Sequence, residues 1–226
     1  MLTRSSPSEL GLLPDGDSKN NLADDKVAAG AATSSGVAAA ARTPNFWLIL
    51  AGSTLVVGAI GAVIQHFILF LRDQGYSPTA ASRFSTVLLA SSLGGRVLVG
   101  YLADRFSKKD IMAFFYLLIG LTIPLLYISR QPAATWVFAL AFGFAMGADY
   151  MLIPLVTAEC FGTAALGKIL ALIIMGYSLG QWAAPWMAGK LFDSYHSYDL
   201  AWKILAGAGL LGAAAIYKVS VGVRKG

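Results

Sequence analysis

Between residues 46 and 221 six apolar runs follow one another, at roughly 46–71, 79–103, 110–129, 133–158, 166–190 and 200–221. A helix needs about 20 apolar residues to cross the hydrocarbon core of a bilayer, and each run supplies that length. Only 13% of the 226 residues are charged while 57% are hydrophobic, about half the charge that a water-facing surface carries. The pattern predicts an all-α membrane protein of six transmembrane helices, with the lipid bilayer as its solvent.

The breaks between runs have local causes. Arg72-Asp73-Gln74-Gly75 ends the first, and Ser77-Pro78 opens the second with a cap and a proline at the first helical position. A charge cluster from Asp104 to Lys109 ends the second, Arg130-Gln131-Pro132 ends the third, and Phe161-Gly162-Thr163 follows the fourth; residues 193–199 separate the last two. Residues 1–42 are a different material, polar at first and then rich in Ala, Gly, Ser and Thr, which predicts a disordered tail or linker ahead of a domain over 43–226. They contain no apolar stretch behind a basic start, as a secretory signal would.

The formal charge of +5 does not mark a nucleic-acid binder, because the basic residues flank apolar runs and form no stripe on a polar fold. On the side of the N-terminal tail lie Arg4, Lys19, Lys26, Arg42, Arg105, Lys108, Lys109, Lys168, Lys218, Arg224 and Lys225; Arg72, Arg83, Arg130, Lys190 and Lys203 lie opposite. The positive-inside rule then predicts a multi-pass protein of the cell membrane with both termini cytoplasmic. Cys160 is the single cysteine, which leaves no disulfide framework and no cysteine-based metal site; neither metal nor cofactor is expected.

Several stretches carry a family likeness. Gly100-Tyr101-Leu102-Ala103-Asp104-Arg105-Phe106-Ser107-Lys108-Lys109 resembles the loop that joins the second and third helices in each six-helix half of the major facilitator superfamily, with Ser107 in place of the usual glycine. Ala158-Glu159-Cys160-Phe161-Gly162 resembles the end of the tenth helix in oxalate/formate-antiporter-like and monocarboxylate-transporter-like members. Gly189-Lys190-Leu191-Phe192-Asp193-Ser194-Tyr195 resembles the turn before their last helix, and Arg42-Thr43-Pro44-Asn45-Phe46-Trp47 is similar to the start of their seventh. The order matches the C-terminal half over about residues 42 to 222. The resemblance implies one half of a facilitator-type bundle, with residues 1–41 as the linker between halves. It further implies a fragment, a truncated gene or one piece of a split carrier, completed by an N-terminal six-helix half or a second copy. The function it implies is secondary active transport of a small organic anion, a mono- or dicarboxylate, by symport or antiport through alternating access. Gly100, Asp104, Arg105, Lys108 and Lys109 would then form a conformational latch. Without the resemblance, the charge cluster is a topology anchor.

Arg96 lies eight residues before Asp104, hence about 12 Å into the membrane at helical rise. An unpaired cation there costs several kcal/mol, so it must snorkel or face protein, water or an anion. The spacing Arg96-x-x-x-Gly100 resembles the anion carriers, whose arginine here binds the substrate carboxylate; a guanidinium suits that task because its planar fork holds a carboxylate bidentately. Monocarboxylate carriers usually place an acid one turn earlier, where this chain has Ser92. Asp149 lies ten residues before Glu159, at about 15 Å. It is expected to face one polar cavity with Arg96, either pairing with it or titrating with a co-transported proton. Gln65 and His66 in the first span, with Tyr177 and Gln181 one turn apart in the fifth, are candidates to complete the substrate site, although each alone is also a common interhelical hydrogen-bond partner. Trp182 and Trp186 read as packing or interface residues.

Two further readings compete. Gly176-Tyr177-Ser178-Leu179-Gly180 fits the G-x-S-x-G pattern of a serine hydrolase, but a nucleophile elbow needs a strand-to-helix turn and these residues lie inside a predicted helix. The same residues read as Gly176-x-x-x-Gly180, a close-packing face like Gly143-x-x-x-Gly147. An enzyme is therefore not expected. The other reading is a transport-inactive six-helix remnant or membrane assembly partner.

Overall fold

A computed structural model describes residues 36–163 and 165–220. Residues 36–41, expected within a disordered tail or linker over 1–42, are helical and residue 42 is a turn, while residues 1–35 lie outside the described residues. Six helices follow, each long and apolar enough to cross a membrane: α1 Pro44–Asp73, α2 Pro78–Ala103, α3 Lys108–Thr122 continued by a 3-10 segment Ile123–Ile128, α4 Pro132–Phe161, α5 Leu166–Tyr195 and α6 Asp199–Tyr217.

Local chemistry sets these bounds. Thr43 caps α1 by accepting from the Phe46 N–H at 3.4 Å, Ser77 caps α2 by accepting from the Ala80 N–H at 3.2 Å, and a proline stands in the first turn of each. Pro124 lies in the tightened 3-10 tail of α3, where it has no N–H to give to Gly120. The fifth helix was expected to stop near residue 190 and runs on to Tyr195, because Lys190 and Asp193 do not break a helix; His196, at φ 51°, does. The sixth stops at Tyr217, short of the expected 221.

Packing follows the small residues. Helix α1 lies against α5 and α6, α2 against α4, and α3 against α4 and α6. Gly143 and Gly147 let α4 approach so closely that a Cβ at either would strike the backbone carbonyl of Leu88 or Ser92 on α2. Gly180 stands in the same relation to the Thr54 carbonyl of α1. Both small-residue faces read from the sequence are thus packing seams. Fully buried Phe67, Phe115, Tyr116, Phe138, Phe142 and Trp202 fill the space between helices.

Polar links fasten both ends of the bundle. At the end holding the start of α1, the Asn45 amide donates to the Ser220 carbonyl at 2.7 Å, Lys108 pairs with Glu159 at 3.8 Å, and Lys109 stands over the Tyr217 ring at 5.6 Å. At the other, Tyr76 donates to the Ser129 carbonyl at 2.7 Å, Tyr127 to the Asp199 carbonyl at 2.8 Å, and Arg130 to Gln74 at 3.3 Å. The six spans are unequally covered: the most apolar stretch of α5 is 11% buried and that of α2 is 28% buried, against 44% or more for the other four.

Candidate functional site

Counted by helical rise from the end that carries the latch-like loop, Arg96 lies about 10 Å deep, Tyr177 about 16 Å, Asp149 about 18 Å, Gln181 about 22 Å and Gln65 about 31 Å. These residues fall into three places.

The first holds Arg96 alone. Its neighbour Gly95 packs on Phe144 and Ala148 of α4, which turns Arg96 to the exposed face of α2. The guanidinium stands 6.0 Å from the centre of the Tyr150 ring, the outer range of a cation–π contact. No carboxylate lies within ion-pair distance of it among the described residues. Ser92, one turn earlier, is buried, donates to the Leu89 carbonyl at 2.6 Å, and has Gly147 packed on its backbone. An acid in its place would point into the α2–α4 seam.

The second place is the interior between α1, α3 and α4. Asp149 is 1% exposed and accepts from the Tyr116 hydroxyl at 2.6 Å; that hydroxyl also lies 3.4 Å from Ser53. The second carboxyl oxygen has no hydrogen-bond partner among the described residues. The pairing of Asp149 with Arg96, one of its two expected roles, is therefore not formed here. The cause is helical phase: Asp149 faces inward, and its neighbour Tyr150, about 100° further round the helix, is the residue that meets Arg96. Tyr177 on α5 lies close enough to Asp149 for their electrostatic interaction to count. Sequence reasoning missed Tyr116 and Ser53, since a lone tyrosine or serine in an apolar run carries no pattern.

The third is a cleft of 370 Å³ between α1 and α5, lined by Gln65, His66, Gln181, Trp182, Pro185 and Trp186. Three sequence candidates meet here. His66 has both ring nitrogens engaged, Nδ1 with the Tyr198 hydroxyl at 3.1 Å and Nε2 with the Pro185 carbonyl at 3.0 Å. Burial and the nearby Asp73 and Asp193 push the Tyr198 hydroxyl up from its ordinary pKa, so it stays a donor. Nδ1 then accepts and Nε2–H donates to the carbonyl. His66 is thus a fastening between α1, α5 and the start of α6, which was the simpler of its two expected roles. The two tryptophans, read from the sequence as packing residues, line this cleft with their rings 9° from parallel. Their spacing of four residues, next to Gln181, was the available signal.

In the latch-like loop, Asp104 and Arg105 make no ion pair among the described residues, and Arg105 lies 4.3 Å above the Tyr101 ring. A Cβ on Gly100 would meet nothing within 4 Å, so packing inside this bundle does not demand glycine there. Ser178 lies mid-helix, exposed, and donates to the Ile174 carbonyl at 2.7 Å. Among the described residues neither His66 nor His196 is hydrogen-bonded to it, His66 being held elsewhere. Ser178→Ala is accordingly expected to leave stability within about 0.5 kcal/mol, checked by thermal unfolding in detergent.

Six membrane-length helices, a charged loop between the second and third, and small-residue seams define half of a transporter bundle. Residues 46–225 match the model of the Major Facilitator Superfamily, and the chain belongs to that family. It is 27% identical over 175 residues to an MFS transporter asaE of Aspergillus flavus, covering 77% of this chain and 40% of that protein. It is 28% identical to Monocarboxylate transporter 13 of Bos taurus (67% of this chain, 36% of that one) and 27% identical to Monocarboxylate transporter 12 of Mus musculus (69% and 33%). The chain therefore spans a third to two fifths of the length of these relatives.

Proposed function

We propose that this chain is the C-terminal half of a secondary carrier that moves a small organic anion by alternating access, with the substrate carboxylate meeting Arg96. One observation carries this: a guanidinium at membrane depth, on an exposed helix face, with no carboxylate in ion-pair reach among the described residues. The names of the monocarboxylate transporters to which it is similar support the same substrate class. Both termini would lie in the cytoplasm of a cell-membrane protein. The loop from Gly100 to Lys109 would latch the half against its partner, with Lys108 already committed to Glu159 and Asp104 and Arg105 left to reach across. Transport then needs no bond made or broken, only unequal stabilisation of inward- and outward-facing states.

Asp149 would carry a co-transported proton, since its carboxyl is buried beside a hydroxyl donor and has one oxygen unused. Asp149→Asn is expected to flatten the pH dependence of uptake while leaving exchange at a fixed pH measurable. An unchanged pH profile in proteoliposomes would remove the proton from the mechanism.

The sparse covering of α2 and α5 favours a second reading alongside the first, an assembly partner that docks through those helices without carrying anything. Counterflow of labelled mono- and dicarboxylates separates the two. The chain is tested alone and then joined to a facilitator N-terminal half; flux in the joined form supports the carrier, and none in either form supports the assembly partner.

A further inference from the structure

The cleft between α1 and α5 holds more unspent polar groups than a lipid-facing surface tolerates. Gln65 and Gln181 each offer an amide NH2 and a carbonyl, and none of these has a hydrogen-bond partner among the described residues; nor do the indole N–H groups of Trp182 and Trp186. Pro185 adds to them, because it has no N–H to give to the Gln181 backbone carbonyl one turn before it. In hydrocarbon such groups would be strongly disfavoured, so this face meets water, a ligand or another bundle.

The shape is as specific as the polarity. Trp182 and Trp186 are 69% and 59% exposed, their ring centres lie 6.3 Å apart, and their planes are within 9° of parallel. Stacked indoles this exposed offer a flat, polarisable ring face on which a further planar ring stacks. The lining contains no carboxylate, lysine or arginine, and its histidine is already held at both nitrogens. A site of this kind recognises a planar ring through its face and its neutral substituents through carboxamides. It does not recognise charge.

We infer that this cleft seats an aromatic ring of the cargo, so that the transported anion is an aromatic carboxylate and not a short aliphatic one; this rests on the carrier reading above. The volume of 370 Å³ accommodates one or two fused rings within the ordinary range of small-molecule sites. Trp182 and Trp186 supply the stacking surface, and Gln65 and Gln181 orient polar ring substituents. Arg96, at a shallower level, takes the carboxylate in the course of the cycle and not while the ring is seated here.

Equilibrium dialysis of the purified chain in nanodiscs tests this, with labelled benzoate and 1-naphthoate set against labelled acetate and succinate. The aromatic acids should bind, naphthoate the more tightly, and Trp182→Ala should weaken them at least about tenfold, while Trp182→Phe retains most of the binding. Equal binding of aromatic and aliphatic acids, or aromatic binding unmoved by Trp182→Ala and Trp186→Ala, overturns the inference. Thermal unfolding of each variant excludes loss of fold as the cause. Aromatic binding that depends on the tryptophans, together with no flux in the joined form, would leave the cleft standing and remove the carrier.

Discussion

Gly147→Ala should destabilise the bundle by about 2 kcal/mol or more, although alanine is the better helix former by about 1 kcal/mol. The sign reverses because the added methyl would collide with the Ser92 carbonyl. A backbone carbonyl cannot rotate away as a flexible side chain could, so α2 and α4 must separate along the whole seam and lose the packing that holds helices together in lipid. Gly100→Ala is the matched control. Its Cβ meets nothing within 4 Å, so the same change there should be neutral or stabilise by up to about 1 kcal/mol. Unfolding in a denaturing detergent, followed by circular dichroism, reads both. Equal responses at the two positions would mean that the seam is looser than described.

The second large effect concerns Arg96. Arg96→Gln should lower affinity for a carboxylate at least about a hundredfold, the scale of losing one partner of a desolvated, charge-assisted pair. Arg96→Lys should recover only part, because an ammonium cannot reproduce the bidentate fork. Stability should hardly change in either variant, since among the described residues the guanidinium meets only a ring 6.0 Å away and no ion-pair partner. Binding to the joined two-half protein, measured beside its unfolding midpoint, separates the roles. A variant that unfolds early yet binds normally would make Arg96 structural.

Much of the fold was legible because apolar length and helix caps are local. Ser77-Pro78 and the run from Asp104 to Lys109 place their boundaries to within a residue or two of those found, whereas Asp193 misled, since a charge alone does not end a helix. The glycine seams could be read as close-packing faces, but their partners could not, because which helices meet depends on tertiary arrangement. The same limit applies to the candidate site. Depth along each helix brought Arg96 and Asp149 to similar levels, yet rotation about the axis, which a count of residues does not fix tightly, set one outward and the other inward. Gln65, His66 and Gln181 do converge, and the indoles beside them became visible only once α1 and α5 were side by side.

The polar links at both rims have a mechanical consequence. Helix α1, at 30 residues, is about 45 Å long, and the links that tie it to α3 and α6 at both rims oppose shear among the three. A group tied in this way would turn as one body, and a turn of about 10° about one rim displaces the other by about 8 Å over that length. If the half turns about the rim that carries the loop from Gly100 to Lys109, its widest opening falls at the level of Tyr76 and Tyr127, and severing Asn45 from Ser220 should loosen that common motion before it unfolds the bundle.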